Sequence, residues 1–325
     1  MAGLSIGKLR GLQSTASDDG IFTILALDHR GSLRRMLRPD APDAVTYNEI
    51  VMWKQRIVTA LASHASAVLL DPIYGAAQAI QSGALPGHVG LLVAQEKTGY
   101  QGASHVRRTE LVEGWSVAKT RRMGASAVKL LVYYHPDAGE LAEMQRGLVR
   151  QVAAQCVTHD IPLFLEPVSY SLQPEVGKDS PAFAAQRRRI VVETARQFTA
   201  LDIDVLKAEF PVDPLWETDE SVWRDACHEL TEAAATPWAL LSAAVDYQTF
   251  RRMVTVACQE GASGFIAGRA VWQDALREGD AGLAEAARRL DELSEIASRY
   301  STPWQQRHPG VAALEPITQG WHQRY

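Results

Sequence analysis

Eight short apolar runs, each divided from the next by an amphipathic stretch, predict an α/β protein whose strands close into a (β/α)₈ TIM barrel. Three observations carry that expectation. The runs are rich in Val, Ile, Leu and Phe and too short for helices, as suits parallel strands buried on both faces. The stretches between them repeat apolar residues at helical spacing. No Gly-x-Gly-x-x-Gly follows the first run, which disfavours the alternative, a doubly wound open sheet around a dinucleotide.

Taken in order, the chain opens on an N-terminal arm, 1–20, without an apolar core of signal-peptide length. The first strand is expected at 21–27. A helix follows at 43–63, where Val45, Ile50, Trp53, Ile57 and Leu61 share a face. After the strand at 67–70, residues 75–86 leave room only for a short helix. Strands at 89–95 and 127–134 precede helices at 111–123 and 138–159. The strand at 162–168 is followed by a loop, 169–186, that carries Pro174, Gly177 and Pro181 and lies where a lid would sit; a helix is expected at 180–200. Strands at 205–211, 237–244 and 264–270 alternate with helices at 219–235, 247–260 and 283–297. Gly124 and Gly261 stand where C-terminal helix glycines belong. A tail, 300–325, holds Trp304 and Trp321. No linker or repeat interrupts the pattern, so 1–325 reads as a single domain: a barrel of about 250 residues plus arm, tail and loops.

Composition narrows the function. Hydrophobic residues at 46% and charged residues at 22% exclude a disordered chain. Lys+Arg 33 against Asp+Glu 38 gives a net charge of −5, so no general affinity for nucleic acid or an acidic membrane is expected. An anionic ligand must then be held by a local cluster of positive groups. No run reaches the ~18 apolar residues of a membrane span. A soluble, cytoplasmic protein is expected, assembled as a homo-oligomer. The three cysteines, Cys156, Cys227 and Cys258, lack Cys-x-x-Cys spacing and fall on expected helices, so they read as small core residues rather than zinc ligands or disulfide partners. No His-Glu-x-x-His occurs, and no metal is expected; His64, His159 and His228 read as surface-helix residues. Arg187, Arg188 and Arg189 read as a solvated face.

In such a barrel, chemistry sits at the C-terminal ends of the strands. Asp28, His29 and Arg30 end the first run, Asp71 ends the second, and Glu96 and Lys97 follow the third. Lys129, Glu166 and Lys207 lie inside apolar strands, and Glu209 shares a face with Lys207 by strand alternation. A buried lysine is costly unless paired. Lys207 is therefore either one half of a Lys–Glu pair or an amine of lowered pKa that attacks a carbonyl to form a Schiff base. Lys129, as a second cation, favours the amine. Glu166 and Asp28 are each either a buried counter-ion or a proton-transfer group. The Gly-rich run 261–270 with Arg269, beside Ser242 and Ala243, has the makings of a phosphate site.

These segments together resemble the class I tagatose-1,6-bisphosphate aldolase family, which includes sulfofructose-1-phosphate aldolases. The resemblance runs in order along nearly the whole chain. It is carried by Ala-Leu-Asp-His-Arg-Gly-Ser-Leu at 26–33, Leu-Asp-Pro-Ile-Tyr-Gly at 70–75, Glu-Lys-Thr-Gly-Tyr at 96–100 and Val-Lys-Leu-Leu-Val-Tyr-Tyr at 128–134. Phe-Leu-Glu at 164–166, Asp-Val-Leu-Lys-Ala-Glu at 204–209, Leu-Ser-Ala at 241–243 and Gly-Arg-Ala-Val-Trp at 268–272 complete it. The resemblance implies a metal-independent barrel enzyme that needs no cofactor because Lys207 forms the Schiff base. Glu166 would handle protons, Asp28 and Lys129 would line the reacting centre, and Ser242, Gly268 and Arg269 would hold the C1 phosphate. Its partner would be a small phosphorylated ketose, split to dihydroxyacetone phosphate and an aldehyde such as glyceraldehyde 3-phosphate. Attraction for a doubly anionic sugar would be concentrated in Lys129, Lys207, Arg269 and Arg30. The family usually has Gln where this chain has His29, a substrate-binding position; His differs in that it can titrate. The 96–100 segment looks more like the tagatose branch. 6-Deoxy-6-sulfofructose 1-phosphate is the alternative substrate, and a sugar-phosphate-binding regulatory protein the alternative role.

Overall fold

A computed structural model describes residues 4–323 and 325. Its eight strands are β1 (Phe22–Leu27), β2 (Ala67–Leu70), β3 (Gly90–Ala94), β4 (Ala127–Tyr134), β5 (Leu163–Ser169), β6 (Val205–Ala208), β7 (Trp238–Leu241) and β8 (Gly264–Ala267). They close in sequence order into a parallel barrel. β1 pairs with β8 from Phe22 opposite Gly264 to Leu25 opposite Ala267.

Alternation divides each strand between two cores. Phe22, Ile24, Leu69, Leu92, Phe164 and Ile266 pack inside the barrel. Their neighbours in sequence, such as Leu25, Leu70, Val93, Leu165 and Phe265, pack outward against the helices. On β4 the same alternation turns Ala127, Lys129, Leu131 and Tyr133 inward. The sequence of hydrophobic choices thus aims Lys129, Glu166 and Lys207 at one enclosed volume.

Several ends differ from the expectation. β6 stops at Ala208 and β7 at Leu241, so Glu209 and Ser242 stand beyond their strands. The helix expected at 111–123 is only Val117–Arg122, N-capped by Ser116. Residues 96–111 form an antiparallel excursion instead, bridged at Glu96–Leu111 and Gln101–Arg108. The helix after β5 begins at Pro181, which shortens the expected lid loop to 170–180. The arm is not a simple extension: Ile6–Thr15 is a helix capped by the Ser5 side chain. Lys8 on it pairs with Asp204 at 2.9 Å. A Cβ on Gly11 would come 2.4 Å from the Ser126 carbonyl, so the close approach of this helix to the barrel needs glycine there. The tail brings Trp304 into the inner core, its backbone N–H donating to Gly20 O at 3.0 Å. The arm helix and the tail together cover the N-terminal end of the barrel and leave the other end for chemistry. Among the described helices none is long and apolar enough to cross a membrane.

Candidate active site

Three strands bring their inward-facing ionisable groups together. Lys129 on β4 and Lys207 on β6 converge on one oxygen of Glu166 on β5: Oε2 lies 2.8 Å from Lys129 Nζ and 2.9 Å from Lys207 Nζ. Lys129 also reaches Asp28 Oδ2 at 2.7 Å and Glu96 Oε1 at 2.5 Å. Its side chain is 1% exposed. Burial acts to lower the Lys129 pKa, but Asp28, Glu166 and Glu96 outweigh it and hold the amine well above its ordinary value. Lys129 is therefore a fixed cation. Burial raises the Asp28 carboxyl, yet Lys129, with Lys207 and His29 behind it, pulls it well below the carboxylate range. Asp28 is thus an anion that holds Lys129.

Glu96 belongs to this cluster although the sequence placed it only near it. Its second oxygen accepts from Leu131 N at 3.0 Å, which fixes the side chain across the top of β4. Arg30 is held there too: Nη2 donates to the Glu96 carbonyl at 2.8 Å, while Nε and Nη1 are buried without a protein partner. Glu209 does not face Lys207. It lies outside the barrel, accepting from Ser169 N at 2.7 Å and from Lys178 Nζ at 2.6 Å, with Arg187 Nη2 3.7 Å away. Burial raises the Glu209 carboxyl, but these partners bring it down to about 2. The anticipated pair inside the barrel is therefore Lys207–Glu166. Arg187 is not on a solvated face either: it is buried and donates to Phe210 O at 3.1 Å. Asp71 is also absent from the cluster, because buried Lys54 takes it at 2.7 Å.

At the β7–β8 side, Ser242 Oγ accepts from Gly268 N at 3.0 Å, and Arg269 Nη2 donates to Ala243 O at 3.2 Å. Arg269 Nε is buried with no protein partner. Ala243 has φ +44, a conformation that costs energy without glycine and marks the turn between Ser242 and the helix beyond. A Cβ on Gly268 would lie 2.8 Å from His29 Cε1, so glycine there admits the imidazole. His29 stands edge-on to Trp272 at 5.2 Å. Burial, with Arg269, Lys54 and Lys207 adding repulsion against the pull of Asp28, takes its pKa down to about 3. His29 is therefore a neutral ring at neutral pH, and its Nδ1 is buried without a protein partner.

Tyr133 completes the mouth. It follows Lys129 and Leu131 on the inward face of β4 and stands 5.1 Å from Tyr100, edge to face. No polar residue in an apolar run advertised it. Only its position, one alternation beyond Leu131, singles it out.

The geometry offers a buried amine beside a carboxylate that also touches a permanent cation. Lys129 occupies the space among the Asp28, Glu96 and Glu166 carboxylates, and among the described residues no group of three or more His, Cys, Asp and Glu is placed to hold a metal ion. Comparisons place this site in context. The profile of the DeoC/LacD family aldolases matches residues 22–274. A tagatose 1,6-diphosphate aldolase of Streptococcus agalactiae is 32% identical over 94% of this chain and 100% of its own. One from Staphylococcus aureus is 32% identical over 92% of this chain and 98% of its own. Among solved structures, a Schiff base-forming fructose-1,6-bisphosphate aldolase superposes with a TM-score of 0.60 at 21% identity, covering 88% of this chain and 98% of that one. A fructose-bisphosphate aldolase from Slackia heliotrinireducens gives 0.64 at 16% identity, covering 98% and 92%. At such identities these structures bear on the barrel alone. The profile match and the sequence relatives go further: this chain belongs to the DeoC/LacD family of aldolases.

Proposed function

We propose that the protein is a class I aldolase that cleaves a ketose 1,6-bisphosphate, with tagatose 1,6-bisphosphate as the leading substrate. One observation carries the reading: Glu166 Oε2 sits 2.9 Å from the Lys207 amine and 2.8 Å from the Lys129 ammonium. A base, a nucleophile and a fixed positive charge share one point at the C-terminal end of the barrel. The relatives' names favour a bisphosphate over the sulfonate substrate. The chemically complete cluster favours an enzyme over a regulatory protein.

The neutral Lys207 amine attacks the C2 carbonyl, and loss of water leaves an iminium. Lys129, a fixed cation, shares Glu166 Oε2 with Lys207 and holds that carboxylate beside the amine. Glu166 takes the C4 hydroxyl proton as the C3–C4 bond breaks. The bonding pair moves into the iminium, and an enamine and an aldehyde result. Protonation of the enamine at C3 and addition of water at C2 release dihydroxyacetone phosphate and regenerate Lys207. The C1 phosphate is held by Ser242, the Gly268 backbone and Arg269. Arg269 Nε supplies one free donor, and the Gly268 N–H becomes another if the Ser242 hydroxyl turns to the phosphate. The iminium serves as the electron sink, so activity is expected to persist in EDTA.

Borohydride reduction in the presence of dihydroxyacetone phosphate is the decisive experiment. It is expected to add one reduced three-carbon phosphate to Lys207, read by peptide mass. A Lys207→Met protein that still cleaves the substrate at the wild-type rate would falsify the mechanism.

A further inference from the structure

The excursion at 96–111 carries a feature that the amine chemistry does not use. It is held by paired backbone bonds between Gln101 and Arg108, both 2.9 Å, and its turn needs Gly102, whose φ is +98. It lifts Arg107 to the rim above β4 and β5. The guanidinium centre there lies 4.5 Å from the ring of Tyr100, 5.7 Å from Tyr133 and 5.6 Å from Tyr170. Its Nε donates to Ser104 O at 2.8 Å. Among the described residues no carboxylate lies within 4.0 Å of it. The other basic groups near the mouth are committed differently. Lys129 is enclosed by carboxylates, Lys178 is tied to Glu209 and Lys97 to Glu110 at 3.4 Å, while Arg30 gives Nη2 to the Glu96 carbonyl and keeps Nε and Nη1 without a protein partner, low in the barrel mouth beside the cluster around Lys129.

Aromatic faces orient a guanidinium without neutralising it. The three rings therefore present a fixed cation that still has donors and charge to give. Tyr133 ties this cation to the reacting centre. Burial raises its phenol pKa, and the ring lies within the electrostatic reach of Arg107 as well as of Glu166, Lys129 and Glu96.

The order of groups around the rim sets a direction. Ser242, Gly268 and Arg269 lie at β7–β8, Lys207 on β6, Glu166 on β5 and Lys129 on β4. A ketose with its C1 phosphate at β7–β8 and C2 at Lys207 runs its C4–C6 end towards β5 and β4, beneath the Arg107 cage. We propose that Arg107, presented by Tyr100, Tyr133 and Tyr170, receives the distal phosphate of the ketose bisphosphate and sets the preference for it over a ketose 1-phosphate. The inference rests on the aldolase reading above and assigns the group that recognises the far end of its substrate.

The test compares tagatose 1,6-bisphosphate with tagatose 1-phosphate on the wild type, Arg107→Met and Arg107→Lys. Arg107→Met is expected to lower the bisphosphate-to-monophosphate ratio of kcat/KM by roughly 10- to 100-fold, mostly through KM. Arg107→Lys should recover part of that ratio. Equal losses on both substrates, or an unchanged ratio, would overturn the assignment. Dihydroxyacetone phosphate, which has no distal phosphate, separates the two ideas. If borohydride traps it on wild-type Lys207 while Arg107→Met leaves the ratio unchanged, only the Arg107 assignment fails. If it is not trapped, the aldolase reading fails with it.

Discussion

Glu166 is the residue on which the two lysines meet, and its removal separates binding from bond cleavage. Glu166→Gln keeps a hydrogen-bonding group of the same shape but no base for the C4 hydroxyl. The expected result is a kcat lower by about 10²–10⁴-fold with borohydride trapping of dihydroxyacetone phosphate retained. Lys129→Met does something different. It leaves Asp28, Glu96 and Glu166 facing one another without their shared cation. Breaking a buried ionic cluster in this way costs about 3–5 kcal/mol, so its urea midpoint should fall along with its activity. His29 gives a third outcome. Its folded pKa, about 3, lies below the unfolded value of 6.5. Between those values the unfolded chain binds a proton that the folded chain refuses, so this term removes stability as the pH falls from 6.5 towards 3. His29→Gln should therefore lose less stability than the wild type between pH 7 and pH 5, as measured by urea unfolding. Lys129, Glu166 and Lys207 were legible because each interrupts an apolar run. Glu96 was harder to read, since it follows its strand among other polar residues and only its bonds to Lys129 and Leu131 N reveal it. Glu209 defeats the alternation rule because it lies one residue past the end of β6.

The strands were the easiest elements to read, because burial on both faces makes each a continuous apolar run. Elements whose position depends on contacts elsewhere were not. The helix Ile6–Thr15 contains two glycines, which lowers local propensity; Gly11 is there for a close approach to Ser126 and Pro162 that no local pattern displays. Leu111, Val112 and Trp115 have helical spacing, yet Leu111 bridges back to Glu96 and Gly114 takes φ +69. The sequence points to a lid at 169–186; the loop itself is 170–180, and its attachment shows how it is held. Lys178 reaches across to Glu209 at 2.6 Å, and the Trp216 indole donates to Asp179 O at 3.2 Å. Glu209 is depressed to about 2, so it remains charged and the latch stays intact across neutral and mildly acidic pH, weakening only as the pH falls towards 2. Lys178→Met should open it. Faster amide exchange or earlier proteolytic nicking confined to 170–180 is the expected result; unchanged protection would mean that Trp216 and the Arg187–Glu209 contact suffice.

At the scale of the molecule the two ends of the barrel have separate tasks, and this can be measured. A net charge of −5 gives no general attraction for a sugar bisphosphate, so in the proposed reaction binding would depend on cations gathered at one end: Arg30, Lys129, Arg269 and Arg107. The other end carries the helix Ile6–Thr15 and Trp304, and the Lys8–Asp204 pair at 2.9 Å ties that helix to the barrel. Asp204 also accepts from Leu163 N at 2.8 Å, so the pair fastens the first helix to the starts of both β5 and β6. Trp304 is fully buried beside the inner layer of the barrel, and truncating so large a side chain costs about 3–5 kcal/mol. Trp304→Ala and Lys8→Met should each lower the urea midpoint. Neither residue touches the Lys207 cluster, which lies beyond the layer of Phe22, Phe164, Val205 and Ile266. Under conditions where both variants remain folded, kcat/KM should therefore stay within a few-fold of the wild type, and borohydride should still label Lys207. A large loss of activity in a variant that is still fully folded would mean that the two ends are coupled through β6, whose four residues connect Asp204 directly to the amine.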